Sequence, residues 1–177
     1  MNPIPTGRLI RTPNGRDLVL TRTFRATIDD VWASITESDR TARWFASWTG
    51  DAAPGATIRY TMTFEEGFEP ADMTIDACEP PHHLAVSAVD DYGSWRLEAH
   101  LTQNDGITEL RFTQHLDAEP NVADVGPGWE YYLDNLVASR ENAPLPDFND
   151  YHSPQKAYYE RLEQELDEQE VDASPTS

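Results

Sequence analysis

The chain has 177 residues, of which 38% are hydrophobic, so it can form one domain with a core and is not disordered in composition. Its net charge of −19 argues against binding to nucleic acid or to an anionic membrane. No apolar run has membrane-spanning length and the N-terminus lacks a signal-peptide core, which predicts a cytoplasmic location. Cys78 is the only cysteine, which excludes a disulfide framework and a cysteine-based zinc site.

Residues 7–25 predict an N-terminal hairpin of two short strands. Asn14-Gly15 is a strong signal for a type I′ turn between them. One face of the second strand carries Leu18, Leu20, Arg22 and Phe24. We expect this face to point inward, with Arg22 as its polar member.

Two small helices are predicted after this hairpin. Asp29 and Asp30 suit a helix N-terminus, where carboxylates meet unpaired N–H groups. The apolar residues that recur there at helical spacing are Ile28, Val31, Trp32 and Ile35. Ser38 or Asp39 is expected to cap the second helix. The aromatic side chains that we expect to anchor these helices and to plug one end of a groove are Trp32, Trp44, Phe45 and Trp48.

From residue 56 the apolar period changes to two, which predicts five strands. They lie within residues 56–64, 71–79, 84–89, 94–103 and 107–116. The last two form a hairpin, in which a two-residue Asp105-Gly106 turn pairs Leu101 with Leu110. This register puts both apolar sets on one face, so turn chemistry and burial agree.

A long helix follows over residues 128–141, with Pro127 near its first turn and one apolar stripe. An antiparallel sheet of this size has one apolar face, and this helix is the main element able to cover it. The predicted fold is α+β helix-grip: a curved antiparallel sheet wraps around the C-terminal helix. Residues 1–141 form this domain, and the 142–177 arm and acidic helix pack on it or on a partner, with Leu162 and Leu166 as contacts.

Three segments resemble one known family. "LVLTRTFRATIDDVWASITESDRTARWF", "CEPPHHLAVS" and "GPGWEYYLDNLVAS" are similar to signatures of the SRPBCC, or START-like, superfamily. Their closest match is its branch that resembles the activator of the heat-shock-protein-90 ATPase. The resemblance covers residues 17–141, and Thr27 departs from the usual proline. It implies a helix-grip fold with a cavity, without a shared catalytic triad and without a cofactor.

The resemblance and the inward strand faces together predict a ligand cavity between sheet and helix. Its candidate lining is Arg22, Phe24, Trp44, Phe45, Tyr60, Met62, Met73, Trp95, Leu97, Phe112, Gln114, Trp129, Tyr132, Leu133 and Leu136. A cavity needs a few polar groups in an apolar lining, and Arg22, Tyr60 and Gln114 supply them. Arg22 is expected to meet a ligand carboxylate or an internal glutamate such as Glu79. The alternative is that Arg22 reaches water at a strand end and Gln114 bonds a small helix.

Metal and catalytic sites are not expected. His82 and His83 are adjacent in a turn, where both imidazoles rarely reach one ion, and a third ligand is not evident. His100 and His115 lie on the outer face of the sheet, opposite Arg111 and Arg96, and such cations disfavour a metal. Phosphate-loop and nucleophile-elbow patterns are absent from the sequence.

Three functions are compatible with this sequence. The first is a START-like domain that binds a small apolar or amphipathic molecule. The second is a co-chaperone-like interaction module, which binds a chaperone or a second copy through its outer sheet face or its tail. The third is a cyclase or dehydratase, which would need an acid and a base inside the cavity.

Overall fold

The computed structural model describes residues 2–117 and 121–173. The strands are β1 (Arg8–Thr12), β2 (Gly15–Phe24), β3 (Ala46–Thr49), β4 (Thr57–Met62), β5 (Ala71–Glu79), β6 (His83–Asp90), β7 (Gly93–Asn104) and β8 (Ile107–Leu116). The helices are α1 (Ile28–Thr36), α2 (Ser38–Thr41), α3 (Val122–Glu141) and α4 (His152–Ala173), with a short 3₁₀ helix at Phe148–Asp150. Residues 118–120 of the predicted connection and 174–177 of the predicted tail lie outside the described residues.

All eight strands form one antiparallel sheet in the order β1-β2-β8-β7-β6-β5-β4-β3. The predicted helix-grip fold is confirmed, because α3 covers the apolar face of this sheet and α1 and α2 follow the first long strand. None of the helices in the described part of the chain is long and apolar enough to cross a membrane.

The hairpin of β7 and β8 has the predicted register. Leu101 pairs with Leu110 and Ala99 with Phe112, and Asp105 and Gly106 both adopt positive φ, of 50° and 76°. These values match the type I′ turn that an Asp-Gly pair favours. The alternating apolar residues of both strands therefore face α3.

The first turn lies one residue earlier than predicted. Thr12 pairs with Gly15, so Pro13 and Asn14 are its two central residues, not Asn14 and Gly15. The predicted turn would make Pro13 part of the closing pair, and proline has no N–H to donate there.

The six strands after α2 include one that the sequence analysis missed. β3 contains Trp48 and pairs with β4 at the edge of the sheet. Ser38 does not cap α2 as predicted, because Glu37 takes that position. The Ser38 hydroxyl instead donates to Trp48 O at 2.6 Å and accepts from Trp48 N at 2.8 Å, which attaches α2 to β3.

The long helix α3 begins at Val122, six residues before the predicted start at 128. Asn121 caps it by accepting a hydrogen bond from Ala123 N at 2.8 Å, and Pro127 lies inside the helix. Gly126 is needed for packing, since an added Cβ would lie 2.5 Å from Cδ1 of Tyr159 on α4. The glycine that resembles a helix breaker therefore makes room for the Tyr159 ring of α4 against α3.

The helix α4 packs on α3 and on β1. Tyr159 is fully buried and donates a hydrogen bond to Glu130 of α3 at 2.6 Å. Leu166 is also buried, and Leu162 is half-buried against the core. In this structure both leucines contact the chain's own domain.

Candidate functional site

A cavity of about 160 Å³ lies beneath the sheet, between its inner face, α1, α2 and α3. Its wall is almost wholly apolar. The lining comprises Ile35, Thr36, Thr41, Trp44, Phe45, Ala46, Trp48, Ala52, Ile58, Tyr60, Met73, Ile75, Cys78, Leu84, Val86, Leu97, Glu98, Ala99, Leu110, Phe112, Trp129 and Leu133. The cavity therefore lies under β3 to β8, away from β1.

Aromatic rings form one side of the cavity. The Phe45 ring lies 5.5 Å from Trp44 and 5.7 Å from Trp129, and Trp129 lies 4.4 Å from Phe112. The indole N–H of Trp44 donates to Ser34 O at 2.9 Å, and that of Trp48 donates to Thr36 O at 3.0 Å. Since these polar atoms are bonded to α1, the rings present carbon surface to the cavity.

Few polar groups reach the cavity. Tyr60 is buried, and burial, together with the charges of Asp90 and Glu65, raises the pKa of its phenol. Glu98 lines the cavity, but its carboxylate contacts His83 and His115 on the outer face of the sheet.

Eight of the fifteen predicted lining residues reach the cavity. They are Trp44, Phe45, Tyr60, Met73, Leu97, Phe112, Trp129 and Leu133. The other seven lie around it or beyond it: Arg22, Phe24, Met62, Trp95, Gln114, Tyr132 and Leu136. Phe24, Met62 and Leu136 are buried in the core, and Tyr132 donates to Glu65 at 2.9 Å. Whether any of these residues binds a ligand stays a prediction.

Arg22 does not line the cavity, contrary to the prediction from the sequence. Its Nε donates to Asp134 at 2.9 Å and its Nη2 to Glu130 at 2.8 Å, both on α3. Burial lowers the pKa of the Arg22 guanidinium, but the two carboxylates outweigh this effect and raise it. Arg22 thus meets internal carboxylates of the helix, not Glu79 and not the cavity. Helical phase alone does not assign this pairing, because it depends on where α3 crosses β2.

Glu130 is the centre of a buried polar network. It is 1% exposed and accepts hydrogen bonds from Thr6 N, Gly7 N at 2.8 Å, Arg22 and Tyr159. Burial and the Glu130 charge raise the pKa of Tyr159 well above its ordinary value, so its hydroxyl remains a donor. This network fills the space beneath β1 and β2.

Gln114 also differs from both predictions. Its Oε1 accepts from the Trp129 indole N–H at 2.6 Å, so it bonds α3 and not a small helix. Its Nε2 is buried and has no hydrogen-bond partner within residues 2–117 and 121–173. The same holds for Nε1 of the half-buried Trp95. Gln114 thus fixes the Trp129 ring beside the cavity without lining it.

The lining residues that the sequence analysis missed are mostly small or lie on β6. Ile58 and Ile75 are in phase with Tyr60 and Met73, so strand alternation could have identified them. Leu84 and Val86 lie in "LAVSAV", where apolar residues occur on both faces. Alternation carries no signal in such a segment.

Comparison with known proteins identifies the family to which this chain belongs. The profile of the activator of Hsp90 ATPase homolog 1-like proteins matches residues 25–140. A search of the curated proteins finds no significant match.

Solved structures share the fold. The crystal structure of CalU16 from Micromonospora echinospora is 25% identical, with a TM-score of 0.72 over 90% of this chain and 96% of that chain. A Bordetella parapertussis protein, encoded by gene BPP1335, is 22% identical, with a TM-score of 0.69 over 90% and 94%. DynU16, described as a putative protein in the dynemicin biosynthetic locus, is 22% identical, with a TM-score of 0.64 over 75% of this chain and 50% of that chain.

Proposed function

Since the chain belongs to the family of activator of Hsp90 ATPase homolog 1-like proteins, we propose that it binds a small apolar or amphipathic molecule beneath its sheet. The observation that carries this proposal is the apolar cavity between the sheet, the small helices and α3. Concave apolar sites with few polar groups are typical of small-molecule binding. The sequence-based prediction of a cytoplasmic location is part of this proposal.

The size of the cavity limits the ligand. A volume of about 160 Å³ is close to the ~150 Å³ of an apolar cavity that takes up benzene or xenon. The structure therefore has room for a single-ring or short aliphatic group. A larger ligand would extend through the open side of the pocket or displace α1 and α2.

Tyr60 is the residue that would orient an amphipathic ligand. Tyr60 lines the cavity, and its phenol is protonated at neutral pH and can donate a hydrogen bond. A carbonyl or hydroxyl group on the ligand is the chemistry that such a donor selects.

Two further observations support a small molecule over the other functions. DynU16 is described as belonging to the dynemicin biosynthetic locus, which associates this fold with small-molecule biosynthesis. An enzyme in this cavity would have Tyr60 and Cys78 as its titratable side chains, because Glu98 directs its carboxylate outward. A binding role needs only the cavity.

Native mass spectrometry of the purified protein tests the proposal, with Ala99→Phe as the variant. Ala99 lies between Leu84 and Phe112 in the sheet, and all three line the cavity, so a phenyl ring there fills it. Thr102→Phe is the matched control, because Thr102 is exposed and on the opposite face of the same strand.

We expect an adduct on the wild type and on Thr102→Phe that is absent from Ala99→Phe. An adduct of equal abundance on Ala99→Phe would place the ligand elsewhere and contradict the proposal. Where no adduct copurifies, saturable benzene binding that Ala99→Phe abolishes supports a cavity in use, and its absence overturns the proposal. Capture of a chaperone that Ala99→Phe leaves intact would favour the interaction module.

A further inference from the structure

Three side chains that could ligate a metal converge on the outer face of the sheet. Glu98 and His100 alternate along β7 and so share one face, and His83 on β6 is the direct cross-strand partner of His100. One ligand atom from each of the three lies within 4.8 Å of the others. Alternate residues on one strand and the residue opposite form a compact triangle.

The three side chains are close enough to share a metal ion, but the stacked imidazole rings must turn for both lone pairs to point at it. His83 Nε2 lies 2.8 Å from Glu98 Oε1, and the rings of His83 and His100 stack with centroids 4.3 Å apart. A tetrahedral ion with bonds of about 2.1 Å places its ligand atoms about 3.4 Å apart.

We propose that His83, Glu98 and His100 form a binding site for a divalent transition-metal ion of the zinc type. Imidazole nitrogens and one carboxylate suit zinc, nickel and copper, whereas magnesium and calcium require oxygen ligands throughout. Glu79, the cross-strand partner of His83, lies on the other side of that ring, with its Oε1 3.9 Å from His83 Nδ1, so it can orient the imidazole. This proposal is independent of the proposed function.

The carboxylate of Glu98 is held in place by a second layer of polar groups. Its Oε2 contacts His115 Nε2 at 2.5 Å, and His115 Nδ1 contacts Asp17 Oδ1 at 2.7 Å. Thr113, the cross-strand partner of Glu98, and Val19 beside it are almost fully buried. Outer contacts of this kind orient metal ligands and raise affinity.

Nearby arginines oppose the binding of a cation, whereas nearby acidic groups favour it. Arg111 is the cross-strand partner of His100, and Arg96 lies two residues before Glu98 on the same face. Arg96 pairs with Asp117 at 2.9 Å, and the net charge of −19 attracts cations to the surface as a whole. We therefore expect affinity in the micromolar range.

A metal site is not predicted from the sequence, because no third ligand for His82 and His83 is evident in it. That ligand set depends on the register of β6 with β7, where the EPPHH turn pairs His83 with His100. The predicted opposition of His100 to Arg111, and of His115 to Arg96, is confirmed.

The test is a titration of full-length, tag-free protein with Zn²⁺ against a chromophoric chelator, repeated with Co²⁺ by visible absorption. The variants His83→Asn and His100→Asn each remove one ligand. The controls are His152→Asn on α4, which removes a distant histidine, and Cys78→Ser, which removes the only thiol. Thermal unfolding without metal checks that each variant folds.

We expect one saturable site and tetrahedral Co²⁺ bands, both of which persist in the controls. His83→Asn and His100→Asn should abolish the bands, and His115→Gln should weaken Zn²⁺ binding about tenfold by releasing Glu98. Failure of the wild type to bind either ion at millimolar concentration would overturn the proposal. Equal binding by folded His83→Asn or His100→Asn would overturn it as well.

Discussion

The two ends of the space beneath the sheet are filled in opposite ways. Beneath β1 and β2, α3 and α4 bury a network in which Glu130 accepts hydrogen bonds from Arg22, Tyr159 and the backbone. Beneath β3 to β8, an apolar wall with aromatic rings on one side encloses a cavity of about 160 Å³. Polar side chains that hydrogen-bond to one another fill the first end. The second end keeps an unfilled space with an apolar wall.

This difference separates stability from binding. A buried charge whose partners are all present fixes one packing arrangement, and removing a partner is costly. An apolar void forfeits packing contacts and so lowers stability, but it leaves space for a ligand. We therefore expect substitutions at the first end to act on folding and those at the second to act on ligand binding.

The largest effect is expected for Glu130→Ala. The Glu130 side chain is 1% exposed. Its loss removes one carboxylate partner of the Arg22 guanidinium and the hydrogen-bond acceptor of the Tyr159 hydroxyl. The free energy of unfolding should fall by about 3–5 kcal/mol, measured by urea denaturation. Glu141→Ala, at the exposed end of the same helix, is the control and should change it little. Equal losses in the two variants would refute the assigned role of Glu130.

A matched pair of leucines compares complete packing with packing beside the cavity. Leu136 is fully buried outside the cavity, whereas Leu97 lines it. Leu→Ala substitutions cost about 2–5 kcal/mol, and more where packing is complete. We expect Leu136→Ala near the top of this range and Leu97→Ala near the bottom, because Leu97 already has empty space on one side. The reverse order in chemical denaturation would mean that the cavity is not open in solution.

Arg22→Met distinguishes a structural role of Arg22, as the partner of Glu130 and Asp134, from the predicted role in ligand binding. Glu130 keeps its backbone and tyrosine donors in this variant, so the free energy of unfolding should fall by about 1–3 kcal/mol, less than in Glu130→Ala. Benzene affinity should stay unchanged, because Arg22 does not line the cavity. Isothermal titration measures this affinity, and a loss comparable to that of Ala99→Phe would return Arg22 to the binding site.

The smallest effect concerns the ion pairs of Asp30, which join α1 to Arg40 of α2 and to Arg140 of α3. Hydrogen bonds from Arg140 and Arg40 hold the pKa of Asp30 below its ordinary value of 3.8. A lowered folded pKa contributes stability above the unfolded pKa and loses it as the pH falls through the folded pKa. The stability difference between wild type and Asp30→Asn should be constant from about pH 7 to pH 5 and shrink below pH 3.8. A difference that grows on acidification contradicts this assignment.

Sequence patterns predicted the parts of the fold where local signals agree. The β7–β8 hairpin combines an Asp-Gly turn with strict alternation, so its register followed from the sequence. The start of α3 did not, because Gly126 and Pro127 resemble helix breakers, and only the approach of Tyr159 explains the glycine. The partner of Arg22 and the His83–His100 pair were missed for a related reason. Both depend on which elements meet in space, and the helical or strand period of one segment does not contain that information.

The most direct test of a separate binding end is methyl NMR of the protein during a titration with benzene. We expect saturable shifts of the methyl resonances of Ile58, Ile75 and Leu97, which line the cavity. We expect none for Leu18 or Leu166, at the end that α3 and α4 close. The absence of saturable shifts, or shifts of equal size in Leu18 and Leu166, would contradict the assignment of the cavity as the binding site.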